Sequence, residues 1–124
     1  MKQPTILCVD DEGGPLLLRQ LVLQDAGFSV LTATDIDQAL EVFAKHNVEL
    51  VVSDHLLDHG TGADLARRIK KLNPDVPFIL LSGLVDRPEE AESVDMFVNK
   101  IEGRDVLVAA IQKLLKHRTD PSSS

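Results

Sequence analysis

The sequence predicts an α/β domain built as a doubly wound, five-stranded parallel sheet with helices on both faces. Three observations predict it. Five short aliphatic and β-branched runs alternate with segments of helical periodicity, the pattern of parallel strands joined by crossover helices. Turn-forming residues bound these runs, as they bound buried parallel strands. Four of the runs end in a polar residue of the kind that handles phosphate or a divalent cation.

The first strand is Thr5-Ile6-Leu7-Cys8-Val9, running into Asp10-Asp11-Glu12. Gly13-Gly14-Pro15 opens a helix, with Pro15 expected at its first position and Gly27 at its stop. Leu17, Leu18, Leu21 and Val22 are its expected apolar stripe. Ser29 to Ala33 is the second strand, and Asp35 caps a helix that buries Ile36, Leu40 and Phe43 beside Ala39 and Ala44. The third strand, Leu50-Val51-Val52-Ser53, runs into Asp54, and a loop rich in Gly and Asp follows. A helix from about Gly62 to Leu72 carries Leu65, Ala66, Ile69 and Leu72 at helical spacing, and Asn73-Pro74 ends it. The fourth strand, Phe78 to Leu81, ends at Ser82. The Gly83–Ser93 stretch has no apolar face, so only one or two turns are expected there. The fifth strand, Met96 to Val98, leads through Asn99 to Lys100, and a last helix from near Arg104 faces Leu107, Ala110, Ile111 and Leu114 inward. Residues 1–118 form the expected domain, with 119–124 a tail or the start of a linker.

Composition narrows the function. The 124 residues suffice for one domain; 44% are hydrophobic and 27% charged, which excludes disorder. A net charge of −7, with neither Tyr nor Trp, argues against a nucleic-acid footprint. A single cysteine, Cys8, lies inside an apolar run, where a small core hydrophobe is expected rather than a reactive thiol. It allows no internal disulfide and suits a reducing compartment. No stretch approaches the roughly 20 apolar residues of a membrane span, and the N-terminus lacks a signal sequence. A soluble, cytoplasmic protein without membrane insertion is expected.

The strand ends carry the chemistry. In an open parallel sheet, ligands bind beyond the carboxyl ends of the strands, so Asp10, Asp11, Asp54, Ser82 and Lys100 should converge on one rim. Three carboxylates held together repel one another, and a hard divalent cation with retained waters, Mg²⁺ above all, resolves the conflict. A carboxylate nucleophile, a metal, a hydroxyl and an ammonium are what phosphoryl transfer requires. Each residue also has a commonplace reading: a cap at Asp10 or Asp11, a turn at Asp54 or Ser82, a solvated lysine at Lys100. Coincidence at four strand ends, in this order, is the less economical account. His55 and His59 are four apart but flank a loop holding Gly60 and Gly62, so no preformed metal pair is expected, and no histidine is assigned to catalysis.

These residues resemble those of a response-regulator receiver domain of two-component signalling, of the chemotaxis-regulator-like kind, from Ile6 to about Lys116. Asp10-Asp11, Asp54, Ser82 and Lys100 carry the resemblance, and Gly62 falls at the family's glycine position. It implies a flavodoxin-like sheet of order 2-1-3-4-5. It implies that Asp54 accepts a phosphoryl group from a phosphohistidine on a histidine kinase or histidine phosphotransfer protein. Asp11, Asp54 and the main-chain carbonyl of Leu56 would hold Mg²⁺, with Asp10 acting through a water. Lys100 and Ser82 would contact the phosphoryl oxygens, and Phe97 would be the switch aromatic. The resemblance implies a signalling domain rather than an enzyme.

Three departures set further expectations. Ile101 stands where the family usually has a proline after the lysine. A cis bond without proline costs about 3 kcal/mol, so a trans bond and a displaced or mobile Lys100 are expected. Asp58 replaces a common proline four residues after the phosphoacceptor, adding an acid beside the site. Ser82 and Lys100 are 18 residues apart, about one helical turn short for the family, so the fourth helix should be short or irregular and the standard receiver dimer is not expected. A pseudo-receiver, the same fold used as a protein-binding scaffold, is the competing reading.

Overall fold

The computed structural model describes residues 3–83 and 92–119, with side chains to 116. Among the described residues seven strands and four helices follow one another: β1 (Thr5–Val9), α1 (Gly13–Asp25), β2 (Ser29–Ala33), α2 (Ile36–Lys45), β3 (Leu50–Asp54), β4 (Leu56–Leu57), β5 (Gly60–Thr61), α3 (Gly62–Leu72), β6 (Phe78–Ser82), β7 (Met96–Asn99) and α4 (Arg104–Thr119). Five strands form one parallel sheet in the order β2-β1-β3-β6-β7, as the sequence predicts. The fourth helix expected between 83 and 93 falls on 84–91, outside the described residues, as does the tail at 120–124.

The sheet has a buried core on each face. Leu7, Val9, Val51, Phe78 and Leu80 point to one side and meet Ala39, Leu65, Ala66 and Ile69 of α2 and α3. Ile6, Cys8, Val52, Ile79 and Leu81 point to the other and meet Leu16 and Leu23 of α1 and Leu107, Ala110 and Ile111 of α4. Burial on both faces explains why the central strands are apolar throughout rather than alternating.

Register then aligns the strand ends. Val9 lies opposite Ser53, Asp54 opposite Leu81, and Ser82 opposite Asn99. The residue that ends or follows each strand therefore reaches the same rim. That is how residues up to 90 positions apart become neighbours.

α1 differs from the expectation in two ways. It starts at Gly13, so Pro15 is its third residue, where a missing N–H still costs no intrahelical bond. The buried residues are Leu16 and Leu23, while Leu17, Leu18 and Leu21 are exposed. A run crowded with leucines leaves the inward face ambiguous, and the helix ends decide it. At the C-terminus Gly27, at φ 100°, closes a paired motif: its N–H donates to the Gln24 carbonyl and the Phe28 N–H to that of Leu23, both at 3.1 Å. Phe28, itself buried, thus clamps the last turn and fixes the helix's rotation.

α2 and α3 have side-chain caps. Asp35 accepts from the Gln38 N–H at 2.7 Å and Thr61 from the Asp64 N–H at 3.1 Å. Leu72, expected on α3's inward face, is exposed at its last position. At the amino end of β6, Lys70 Nζ reaches the Val76 carbonyl (2.8 Å) and Asp95 Oδ2 (2.6 Å), and the same carboxylate oxygen accepts from the Phe78 N–H at 2.7 Å. This ties α3, β6 and the entry to β7 together.

Cys8 is wholly buried, and loss of hydration pushes its thiol from the usual 9.0 up to about 12, with Arg19 pulling weakly the other way. Because the folded value is the higher, the stability of the neutral thiol is fully present below 9.0 and declines as pH rises towards 12. Thiol reagents at about pH 8 should therefore label Cys8 only at the rate of unfolding; labelling of the folded protein at the rate of a free thiol would contradict this burial.

Candidate functional site

The rim gathers three carboxylates. Asp10, Asp11 and Asp54 each offer an oxygen, and these oxygens all lie within 4.8 Å of one another. Asp10 and Asp11 follow β1, whose ladder continues through the Asp10 N–H to the Ala33 carbonyl at 3.2 Å. Asp54 ends β3, held by the His55 N–H donating to the Leu81 carbonyl at 2.9 Å. Asp10 and Asp54 are buried, and Asp11 is half-buried. Desolvation, then the nearby carboxylate of Asp58 and that of Asp10, hold the Asp11 carboxyl above its usual range; its own backbone N–H opposes them. The extra acid expected at Asp58 thus faces the cluster.

The donor set fits a hard divalent cation. The three side chains of the cluster all offer carboxylate oxygens, and oxygens on a Mg²⁺ centre at roughly 2.1 Å lie about 3–4 Å apart, a spacing this cluster reaches with small side-chain movement.

Lys100 corrects one expectation. The Lys100–Ile101 peptide is trans, as no described peptide bond is cis. Yet Lys100 is not displaced: its Nζ lies 2.5 Å from Asp54 Oδ1. The physical reason is Asn99. Its Oδ1 accepts from the Ile101 N–H at 3.1 Å, and its carbonyl accepts from the Glu102 N–H at 3.0 Å. The Lys100 N–H meanwhile extends the β6–β7 ladder to the Ser82 carbonyl at 3.0 Å. An asparagine-closed turn directs the chain where a proline was expected to be needed.

Ser82 is buried at the end of β6. Asp54, His55, Leu56, Ser82, Gly83 and Lys100 line a cavity of about 110 Å³. Leu56, exposed, begins a two-residue ribbon, pairing with Thr61 across a turn in which His59 takes φ 61°. His55 Nδ1 is buried without a hydrogen-bond partner among the described residues. Phe97 is partly buried against the core on the α2–α3 face, opposite Leu80.

Gly62 positions the strand end that carries Asp54. Its N–H donates to the His55 carbonyl at 2.7 Å, and a Cβ there would collide with the Asp54 carbonyl oxygen and Leu80 Cδ1. Only glycine allows α3 to start this close to β3.

The sequence reading missed Arg19. It lies on α1's inward face between Leu16 and Leu23, and its Nη1 stands 3.3 Å from Asp10 Oδ2. Its spacing, three residues after one buried leucine and four before the other, was the available signal.

A family model described as response regulator receiver domain matches residues 6–112. The transcriptional regulatory protein GlrR of Escherichia coli (strain K12) is 34% identical over 119 residues, a match covering 93% of this chain and 27% of that protein. The autoinducer 1 sensor kinase/phosphatase LuxN of Vibrio harveyi is 34% identical over 103 residues, covering 83% of this chain and 12% of that protein. The chain thus spans 27% or less of the length of these two relatives. Among solved structures, the response regulator TrrA of Thermotoga maritima in complex with Mg(2+)-BeF is 30% identical with a TM-score of 0.85, covering 90% of this chain and 99% of that one. A receiver domain protein from Clostridium thermocellum is 26% identical with a TM-score of 0.86, covering 93% and 96%.

Proposed function

The chain belongs to the response-regulator receiver domain family, and from that premise we propose that it is a phosphoacceptor module in which Asp54 receives a phosphoryl group with Mg²⁺. Receiver domains are signalling domains that take phosphoryl groups from histidine kinases. The observation that carries the proposal is the convergence of Asp10, Asp11 and Asp54 on one point, with Lys100 Nζ against Asp54 Oδ1.

Asp11, Asp54 and the Leu56 carbonyl would hold the ion, with Asp10 acting through a water. When bound, the ion screens the carboxylates from one another and from the incoming phosphoryl oxygens. An Asp54 carboxylate oxygen attacks the phosphorus of a phosphohistidine. The new O–P bond forms as the N–P bond breaks, and the electron pair of the latter returns to the imidazole nitrogen. Lys100 moves its ammonium from Asp54 to a phosphoryl oxygen, and the Ser82 hydroxyl donates to another. The cavity beside Asp54 is bounded by these two donors. As Ser82 shifts towards the phosphoryl group, Phe97 moves with the strand pair it shares, and the change passes to a partner surface.

The proposed donors are a histidine kinase or a histidine phosphotransfer protein. GlrR by name regulates transcription and LuxN is a sensor kinase/phosphatase, so a receiver of this sequence suits either kind of host. Among the described residues no helix is long and apolar enough to cross a membrane.

Incubation with acetyl phosphate and Mg²⁺, read by intact mass, tests the proposal. One added phosphoryl group is expected, absent with a chelator and absent in Asp54→Asn. No gain in mass under any condition would leave the protein-binding scaffold as the better reading.

A further inference from the structure

Arg19 is a group that the chemistry of Asp54 does not require. It holds an inward position on α1 where helical spacing calls for an apolar side chain, and only 13% of its side chain is exposed. Its partner Asp10 is 1% exposed. Asp10 Oδ1 accepts from the Glu12 N–H at 2.9 Å, and Oδ2 takes the guanidinium at 3.3 Å. Arginine does not lose its proton in proteins, so this charge is permanent. Breaking a buried pair leaves its partner uncompensated. A fixed positive charge bound to one carboxylate of a cation site also opposes a second cation there.

We propose that Arg19 is a resident counter-ion of the acidic cluster, neutralising Asp10 in the metal-free form and holding divalent-cation affinity below what three carboxylates would give. The inference rests on reading Asp10, Asp11 and Asp54 as a Mg²⁺ site. Its consequence is that loading of the site responds to Mg²⁺ concentration instead of staying saturated. When a cation binds, the open space beside Arg19 would receive the displaced guanidinium. Arg19 also lines a cleft of about 380 Å³ between α1 and the β7–α4 connection, alongside Pro15, Leu18, Asn99, Lys100 and Leu107.

The test is calorimetric titration of the whole chain with Mg²⁺ alone at about pH 8, with thermal unfolding in parallel. Arg19→Met should bind Mg²⁺ about tenfold more tightly, about 1.4 kcal/mol. Arg19→Lys, which keeps the charge, should stay within about threefold of the natural protein. In an Asp10→Asn background the effect of Arg19→Met should shrink to less than about threefold, because the partner is gone. Without Mg²⁺, Arg19→Met should melt lower than the natural protein, and saturating Mg²⁺ should narrow the gap. Should Arg19→Met not fold metal-free, Arg19→Gln, polar but uncharged, carries the same comparison. Mg²⁺ binding to the natural protein with equal or weaker binding to Arg19→Met or Arg19→Gln would overturn the proposal. No Mg²⁺ binding to the natural protein would overturn the metal site itself, a separate and recognisable failure.

Discussion

Gly62→Ala should destabilise the domain by about 3 kcal/mol, the upper range for overpacking a well-packed site. The added methyl meets the Asp54 carbonyl oxygen, part of a strand paired on both sides, and a Leu80 methyl in the fully buried core. Neither can retreat cheaply. The strand end that carries Asp54 must move, or α3 must lift and weaken the bond from the Gly62 N–H to the His55 carbonyl. Denaturant titration should show the loss, with a melting temperature lower by about 10 °C. Phosphoryl acceptance should fall as well, because Asp54 shifts with its backbone. A change within about 0.5 kcal/mol, with acceptance intact, would show that the approach of α3 to β3 does not position the site.

Lys100→Ala should slow phosphoryl acceptance by about a hundredfold, the scale on which a single preorganised donor to developing negative charge acts. The ammonium has two tasks. In the resting site it balances Asp54 at 2.5 Å, and during transfer it must follow the charge onto the phosphoryl oxygens. Losing it therefore separates two readouts. Single-turnover transfer from a phosphorylated donor should slow sharply, while Mg²⁺ should bind more tightly, since a competing cation has left the cluster. Lys100→Arg should recover part of the rate. Transfer at an undiminished rate in Lys100→Ala would contradict the role given to the ammonium, whatever happens to the metal.

The sheet was legible because five apolar runs bounded by turn residues have no other economical fold, and a parallel sheet sends their carboxyl ends to one rim. Asp10, Asp11, Asp54, Ser82 and Lys100 lie together on that rim for this reason. What escaped was local and short in range. The β4–β5 ribbon has two residues in each strand, too few for any periodicity to show. Thr61 followed three residues later by Asp64 was a visible capping signal at the end of the loop rich in Gly and Asp. The inward face of α1 was misread because leucines occupy several faces of that helix and hydropathy cannot rank them. The same misreading concealed Arg19. Lys100 was expected to be displaced or mobile without a following proline, whereas its ammonium meets Asp54 and the preceding Asn99 supplies the turn by hydrogen bonding. A side chain that closes its own backbone turn leaves no mark in hydrophobic patterning.

The most direct measurement is the position of the phosphoryl group. Protein treated with acetyl phosphate and Mg²⁺ can be reduced with borohydride, which converts an aspartyl phosphate to homoserine and leaves a phosphoserine unchanged. Peptide mass spectrometry should find homoserine at position 54 alone. Modification at Ser82, at Asp10 or Asp11, or at none of them would contradict the arrangement of nucleophile, acids and ammonium described above.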